Sequence, residues 1–434
     1  MGTHGAGVGR RGWAVRLVAL VAVLAMPACQ RAYEGPAPTG TSAVDDGTVL
    51  TMWTRSLTAA FSRVLIDEYN RTHRNKVKLT VMPADSYQQR VGAAAGTRQL
   101  PDLLAIDVVY APNYASQGVF TDIGERVGTL GFREHLAPSH MRAVTHAGRV
   151  YGVPHDIDLA ALFYNKDLFI RAGLDGDRPP ANLRELHEFA AKLTALGGGV
   201  HGFNFGGACP DCMVATAWPM IWASGSEVLS EDGTTALLDS VDATRVFQLY
   251  RQLYTEGLAP RAARNESGPT WTREFGEGLV GMQAMGATAL RSIEDRLQVG
   301  VAAIPGLEGG ASSFVGGDVL GISSNSRHAD QAWDFIAWTL SERAQVEVVA
   351  KHRYVTVRSD LDGNVYAQQD PRLVTFTALA RKGQTPYAVA FGKTFNDPNG
   401  PWISAVADAV FGADDVGATL DRHNASITAS LGGG

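Results

Sequence analysis

The sequence predicts an α/β protein built on mostly parallel sheets, and three observations carry that expectation. Short apolar runs alternate with stretches of helical periodicity, the connections between them are brief, and 434 residues at 45% hydrophobic content are too many for one small core. One large or two medium domains are expected. Val49-Leu50-Thr51-Met52-Trp53 suits a buried strand, and Leu57, Ala60, Phe61, Val64, Leu65 and Tyr69 then recur at helical spacing. Val77, Leu79 and Val81 alternate as a second strand. Asp85-Ser86 offers a cap for a helix running through Gln88 into an alanine-rich stretch, and Leu103-Leu104-Ala105-Ile106 forms a third strand. Strand-helix-strand-helix-strand implies βαβ units, whose ligands gather beyond the carboxyl ends of the strands. Here those ends are 53–55, 82–87 and 107–110. Further amphipathic helices are expected at 183–196, 244–256 and 329–340, with Trp333, Phe335, Ile336 and Trp338 mostly core. Phe314-Val315-Gly316-Gly317 leads into the apolar strand Val319-Leu320-Gly321-Ile322.

A formal charge of -6 supplies no basic field for a nucleic-acid backbone, so no nucleic acid is expected as partner. Three cysteines exclude a disulfide-stapled miniprotein. The first residues carry Arg10, Arg11 and Arg16 without an acid, followed by an apolar stretch from Leu17 to Met26 that is too short to span a bilayer. This is the pattern of a signal peptide. Met26-Pro27-Ala28-Cys29 resembles the lipobox of bacterial lipoproteins, with Met and Pro where Leu and a small residue are usual. The resemblance implies a signal peptide over 1–28, lipid on Cys29 and an anchor on the outer face of the cell membrane. Residues 29–47 lack hydrophobic period and read as a flexible tether.

Several motifs follow one another in a telling order. They are Phe61 with Glu68-Tyr69-Asn70, Pro101-Asp102-Leu103, and Gly148-Arg149-Val150-Tyr151-Gly152-Val153-Pro154. After them come Leu162-Phe163-Tyr164-Asn165-Lys166-Asp167-Leu168-Phe169, Arg171-Ala172-Gly173-Leu174, Trp222-Ala223-Ser224-Gly225 and Phe275-Gly276-Glu277-Gly278-Leu279-Val280-Gly281-Met282. This succession resembles the extracellular solute-binding proteins of bacterial carbohydrate ABC importers, the maltose/trehalose-binding type. The resemblance implies a two-lobe periplasmic-binding-protein-like fold, each lobe a mostly parallel sheet flanked by helices, with the ligand cleft between lobes. One lobe would hold 48–154 plus 300–356, the other 155–299 plus 357–434. It further implies a sugar ligand of the di- or oligosaccharide class, and ABC permease subunits as partners of a monomeric receptor.

Sugar sites pair carboxylates and amides with flat aromatic faces. Asp107 interrupts an apolar run beside Tyr110, where an unpaired buried carboxylate would be costly; it is a ligand acceptor or a helix cap. The resemblance places Asp158, six residues before Tyr164, at a ligand position. Gly316 and Gly317 match the family's glycine-pair loop, and Asp318 stands where the family often has Trp, replacing a stacking face by an acceptor. Arg358 occupies the family's Pro-x-Arg position, with Thr356 in place of Pro, and serves either vicinal hydroxyls or a salt bridge. Asn396 and Asp397 open a polar loop that rims the cleft or simply turns. Trp222, Trp271 and Trp53 are stacking platforms or core. Cys209-Pro210-Asp211-Cys212 reads as a short structural disulfide of the glycine-rich loop around Gly206-Gly207 rather than a redox or zinc motif.

No cofactor, no metal site and no catalytic constellation are expected: G-x-S-x-G, H-E-x-x-H and the P-loop are all missing from the sequence. Two rivals stay open. One is a secreted glycoside hydrolase using Asp107 with Asp158. The other is a receptor of the same fold for a glycerophosphodiester, held by Arg55 or Arg358.

Overall fold

A computed structural model describes residues 1–2, 43–293 and 296–432. The expected signal peptide and Cys29 lie outside the described residues, as does all of the tether before Ala43. Among the described residues no helix is long and apolar enough to cross a membrane.

The first βαβ units form where the periodicity places them. Strand β1 (Val49–Arg55) is followed by helix α1 (Ala59–Thr72), β2 (Lys76–Met82), α2 (Ala84–Thr97) and β3 (Leu103–Asp107). β1 lies between β2 and β3 and runs parallel to both. α1 buries Phe61, Leu65, Ile66 and Tyr69, one face of the expected stripe. The start of α2 differs from expectation. Pro83 occupies the cap position with φ -55° and ψ 134°, so the helix starts at Ala84 and Asp85 sits inside the first turn without capping.

β4 (Val153–Asn165) is the longest strand, and it carries the chain across the molecule. Its first half pairs with β8 (Val315–Ile322), which in turn pairs with β3, both antiparallel. Its second half pairs antiparallel with β6 (Val280–Gly286) and β7 (Val299–Ala302), and β5 (His201–Asn204) runs parallel to β6. Seven strands thus form one path, β2-β1-β3-β8-β4-β6-β5, and the eighth, β7, pairs with β4 off that path. Twelve of the thirteen β4 residues are buried, and Asp158 is the half-buried one.

The helices of the second group cap as their sequences dictate. In α3 (Leu183–Thr194) the Asn182 side chain accepts from the Glu185 amide at 2.9 Å. α4 (Pro210–Ser224) has proline at its first position and buries nearly every side chain. Its Trp218 is ringed by Trp222, Phe391, Phe395 and Trp402 at centroid distances of 6.0, 6.1, 4.8 and 5.6 Å. α5 (Val241–Thr255), α6 (Ala329–Thr339), α7 (Pro371–Lys382), α8 (Pro401–Phe411) and α9 (Val416–Gly432) complete the frame. Trp333, Phe335 and Ile336 of α6 are core.

Candidate functional site

The carboxyl ends of β1 and β3 place Arg55 beside Asp107, and β8 brings Asp318 into register with Asp107 on one side and Asp156 on the other. The Arg55 fork is fully engaged. Nη1 lies 2.8 Å from Asp107 Oδ2, while Nε and Nη2 lie 2.8 and 2.7 Å from Asp318 Oδ1. Thr58 donates its hydroxyl to the other Asp318 oxygen. Asp318 has no exposed surface, so its charge is sustained only by these donors; an unpaired carboxylate there would be costly. Arg55 and Asp107 keep 13% and 21% of their side chains exposed, which marks the open side of the cluster.

Electrostatics follow the geometry. Burial alone would lower the Arg55 pKa, but Asp107 and Asp318 outweigh it and hold the guanidinium well above its ordinary range. Burial raises the Asp107 carboxyl, Arg55 pulls it down, and Asp318 and Asp211 push it up again. Asp107 also accepts from the Val109 amide at 3.2 Å, so it caps the turn Val108–Tyr110 as well as pairing with Arg55. His140 and His155, both buried near Asp318, are lowered by burial to about 4. His140 Nε2 lies 3.1 Å from the Asp156 carbonyl, and His155 Nε2 lies 3.0 Å from the Ser62 hydroxyl.

Tyr110 faces residues late in the chain. Asn396 Nδ2 donates to its hydroxyl at 3.1 Å, Asn113 Nδ2 donates to the Val389 carbonyl at 3.1 Å, and the Tyr110 ring covers Gly392. A Cβ at Gly392 would fall 2.5 Å from that ring, which explains the glycine. Asn396 Oδ1 is buried with no partner. Burial raises the Tyr110 phenol to about 12. The start of α4 joins this region: Trp402 Nε1 donates to the Pro210 carbonyl at 3.0 Å, and Trp402 packs on Phe395, next to Asn396. Asp211 is exposed, and its Oδ1 lies 3.0 Å from Cys209 Sγ. The Cys209 and Cys212 sulfurs on either side of it lie 1.93 Å apart. Cys209, Asp211 and Cys212 are the group of potential metal ligands found among the described residues, but bonded sulfurs offer no thiolate.

The other expected residues go elsewhere. Asp158 Oδ1 and Oδ2 accept from the Thr288 amide at 3.1 Å and hydroxyl at 3.2 Å, tying β4 to the turn after β6. Gly316 and Gly317 are buried within β8. Gly317 has φ +108°, and a Cβ there would lie 2.0 Å from the Asp156 carbonyl, so strand approach itself demands the glycine. Arg358 does not reach the cluster. It pairs with Asp360, donates to the Leu340 carbonyl at 3.1 Å and stacks 3.7 Å over the Phe132 ring, which spends the fork that a ligand would need. Asp397 is exposed and accepts from the Asn399 amide at 2.8 Å, forming the turn into α8 rather than facing Arg55. Trp222 is buried on α4 beside a cavity of about 250 Å³ that also meets Glu227, Gln384 and Tyr387. Trp271 is half-buried, its carbonyl accepting from Asn204 and Gln283 at 3.1 and 2.7 Å. Trp53 is half-buried on β1, and its carbonyl accepts from the Tyr87 hydroxyl at 3.2 Å.

Sequence reasoning brought out Asp107, Tyr110, Asp318 and Asn396 as candidates, and it underrated Arg55. It missed Thr58, Gly392 and Asp211. Only Asp211 carried a signal, an acid enclosed by two cysteines.

A two-lobe α/β frame with polar groups gathered at strand ends is the architecture of periplasmic binding proteins. The chain belongs to the bacterial extracellular solute-binding protein family, which it matches over residues 54–346. A binding protein of Brucella abortus is 27% identical over 303 residues, covering 69% of this chain and 72% of its own. The diacetylchitobiose-binding protein DasA of Streptomyces coelicolor is 23% identical over 374 residues, 81% of this chain and 83% of its own. The crystal structure of a cyclic α-maltosyl-1,6-maltose binding protein from Arthrobacter globiformis superposes with a TM-score of 0.75 at 21% identity, covering 89% of this chain and all of that one.

Proposed function

We propose that this protein is the sugar-binding receptor of an ABC importer, and that its ligand is an uncharged di- or oligosaccharide. The observation that carries the ligand class is the saturation of Arg55 by Asp107 and Asp318. An anion entering here would meet a cation already neutralised and two carboxylates. A sugar meets acceptors for its hydroxyl hydrogens, together with the Tyr110 ring and the Asn396 amide. That balance disfavours the glycerophosphodiester, since neither Arg55 nor Arg358 has its fork available. The names of the Streptomyces and Arthrobacter proteins, both given for oligosaccharides, support the same class.

In this reading the lobes meet along β4. On the same reading 299–302 goes with the second lobe and β8 with the first, supported by the pairing of β7 with the end of β4 and of β8 with β3. Ligand closes the lobes through differential affinity for the closed form, and the closed receptor docks on permease subunits. No chemistry is needed, and no cofactor. A lipid on Cys29 holds the receptor as a monomer at the outer face of the membrane, and the Cys209–Cys212 pair is oxidised there.

Thermal unfolding of the purified protein against trehalose, maltose, maltotriose, diacetylchitobiose and glycerophosphocholine tests the reading. A ligand at a hundred times its Kd adds about 2.7 kcal/mol of stability. The expected result is a raised Tm with a neutral sugar that is recovered intact. A shift with glycerophosphocholine alone, or hydrolysis of the sugar, overturns it.

A further inference from the structure

Behind the Arg55 cluster runs a line of buried hydroxyls. Thr54 lies on β1, Thr58 just precedes α1, and Ser62 lies one turn further on; all three are buried, as are His155 of β4 and Asp318. Thr58 stands at the N-cap of α1, where a threonine hydroxyl ordinarily accepts from an amide of the first turn. It makes no such bond. Its hydroxyl goes instead to Asp318 Oδ2, so the helix forgoes its cap to hold a carboxylate on another strand.

Counting protons gives the line a direction. A carboxylate only accepts, so Thr58 spends its one hydroxyl proton on Asp318. Thr54 Oγ1, 3.2 Å from Thr58 Oγ1, is therefore the donor of that pair. Thr54 in turn accepts from Ser62 at 3.5 Å, which spends the Ser62 proton. What Ser62 offers His155 Nε2, 3.0 Å away, is a lone pair, so the imidazole donates. Burial keeps His155 neutral, its pKa lowered to about 4, and a neutral ring carries one proton. That proton is on Nε2.

We propose that His155 is a positioning residue of the binding site: its Nε2–H orders the hydroxyls of Ser62, Thr54 and Thr58 so that they hold Asp318 Oδ2, and Arg55 is thereby made to divide its fork between Asp318 and Asp107. With Oδ2 taken by Thr58, Arg55 meets Asp318 through Oδ1 alone, using Nε and Nη2, and its Nη1 turns to Asp107 on the more open side. Without the Thr58 proton, Oδ2 would be a buried acceptor lacking a donor. The arginine fork would then be drawn onto both Asp318 oxygens, and Asp107 would lose its cation. The line of hydroxyls thus decides how Asp107 is presented to ligand, which is the part that rests on the sugar-receptor reading above.

Proton–nitrogen NMR spectra of the histidine rings in the ligand-free wild type read the tautomer directly. His155 should carry its proton on Nε2, and a proton on Nδ1 overturns the proposal even where a variant fails to fold. Carbon-13 titration of the Asp107 carboxyl reads the division of the fork. Arg55 pulls that carboxyl down, so losing it should move the midpoint up, by about one pH unit in Thr58→Val and in the same direction in His155→Leu. Thr58→Ser keeps the hydroxyl and His155→Gln can donate from the Nε2 position, so both should restore the wild-type midpoint. An unmoved midpoint in Thr58→Val or His155→Leu overturns the proposal. Calorimetric titration with maltotriose, trehalose and diacetylchitobiose should show, for whichever sugar binds the wild type, about tenfold weaker binding in Thr58→Val. Unchanged affinity beside a moved midpoint overturns the positioning role and leaves the receptor reading intact. Failure of every sugar with the wild type, beside the Nε2 proton and the moved midpoints, overturns the receptor reading and retains the ordered hydroxyls.

Discussion

The charged cluster at the strand ends and the region around the start of α4 are built in opposite ways. The Arg55 cluster is made of side chains on adjacent strand ends, charged, interlocked and partly sealed, with Asp318 wholly buried. The second region is made of a helix start and a turn: α4 begins there with Asp211 exposed, and the turn at Gly392–Asn396 packs on Tyr110. The first arrangement cannot change without loss of folding free energy, because its charges depend on one another for solvation. The second can vary with little effect on the fold.

The largest effect expected from this contrast is on stability. Asp318→Ala removes the partner of Arg55 Nε and of Thr58 and should lower the unfolding free energy by about 3–5 kcal/mol in urea titrations. Asp211→Asn, in the second region, should stay within about 0.5 kcal/mol. Equal losses would erase the distinction between the two regions.

The buried histidines behind the cluster come next. Their folded-state pKa values of about 4 lie below the ordinary 6.5, so the unfolded chain binds more protons between those limits. Stability is therefore fully present above pH 6.5 and is lost as pH falls toward 4, by roughly 3 kcal/mol for each histidine. Replacing His155 by Gln should flatten that slope by about half, as followed by denaturant midpoints from pH 7 to pH 4.

Gly317→Ala would force a Cβ against the Asp156 carbonyl at a positive φ, and a loss of about 2 kcal/mol in unfolding experiments is expected. The smallest effect is on affinity: Asp107→Asn keeps the shape but loses a charged acceptor and should weaken sugar binding about tenfold by calorimetry, near 1.4 kcal/mol.

The contrast also governs what could be read from the amino-acid order. β1, β3 and β8 announce themselves by apolar periodicity, so the acids that interrupt or adjoin them, Asp107 and Asp318, stand out as costly unless paired. That reasoning does not say with what they pair. The partner, Arg55, ends a strand some fifty residues away from one and more than two hundred from the other, and only the strand order β1-β3-β8 joins them. Arg358 shows the reverse. Its position resembles a family motif, yet Phe132 and Leu340 claim its guanidinium, a contact that no local pattern reveals. Asp85 does not cap because the helix starts one residue before it, at Ala84, and Asp397 serves a turn that its Asp-Pro-Asn-Gly neighbours favour. Near the start of α4, Gly392 is required by its packing against the Tyr110 ring, which periodicity cannot express.

The central claim is that an already neutralised arginine among carboxylates selects an uncharged sugar. Calorimetric titration at 20 and 500 mM salt, comparing neutral oligosaccharides with glycerophosphocholine and a digalacturonate, tests it most directly. The account predicts binding of a neutral sugar with a Kd that changes less than threefold between the two salt concentrations, and no heat from the anions. Tight, salt-sensitive binding of either anion would contradict it.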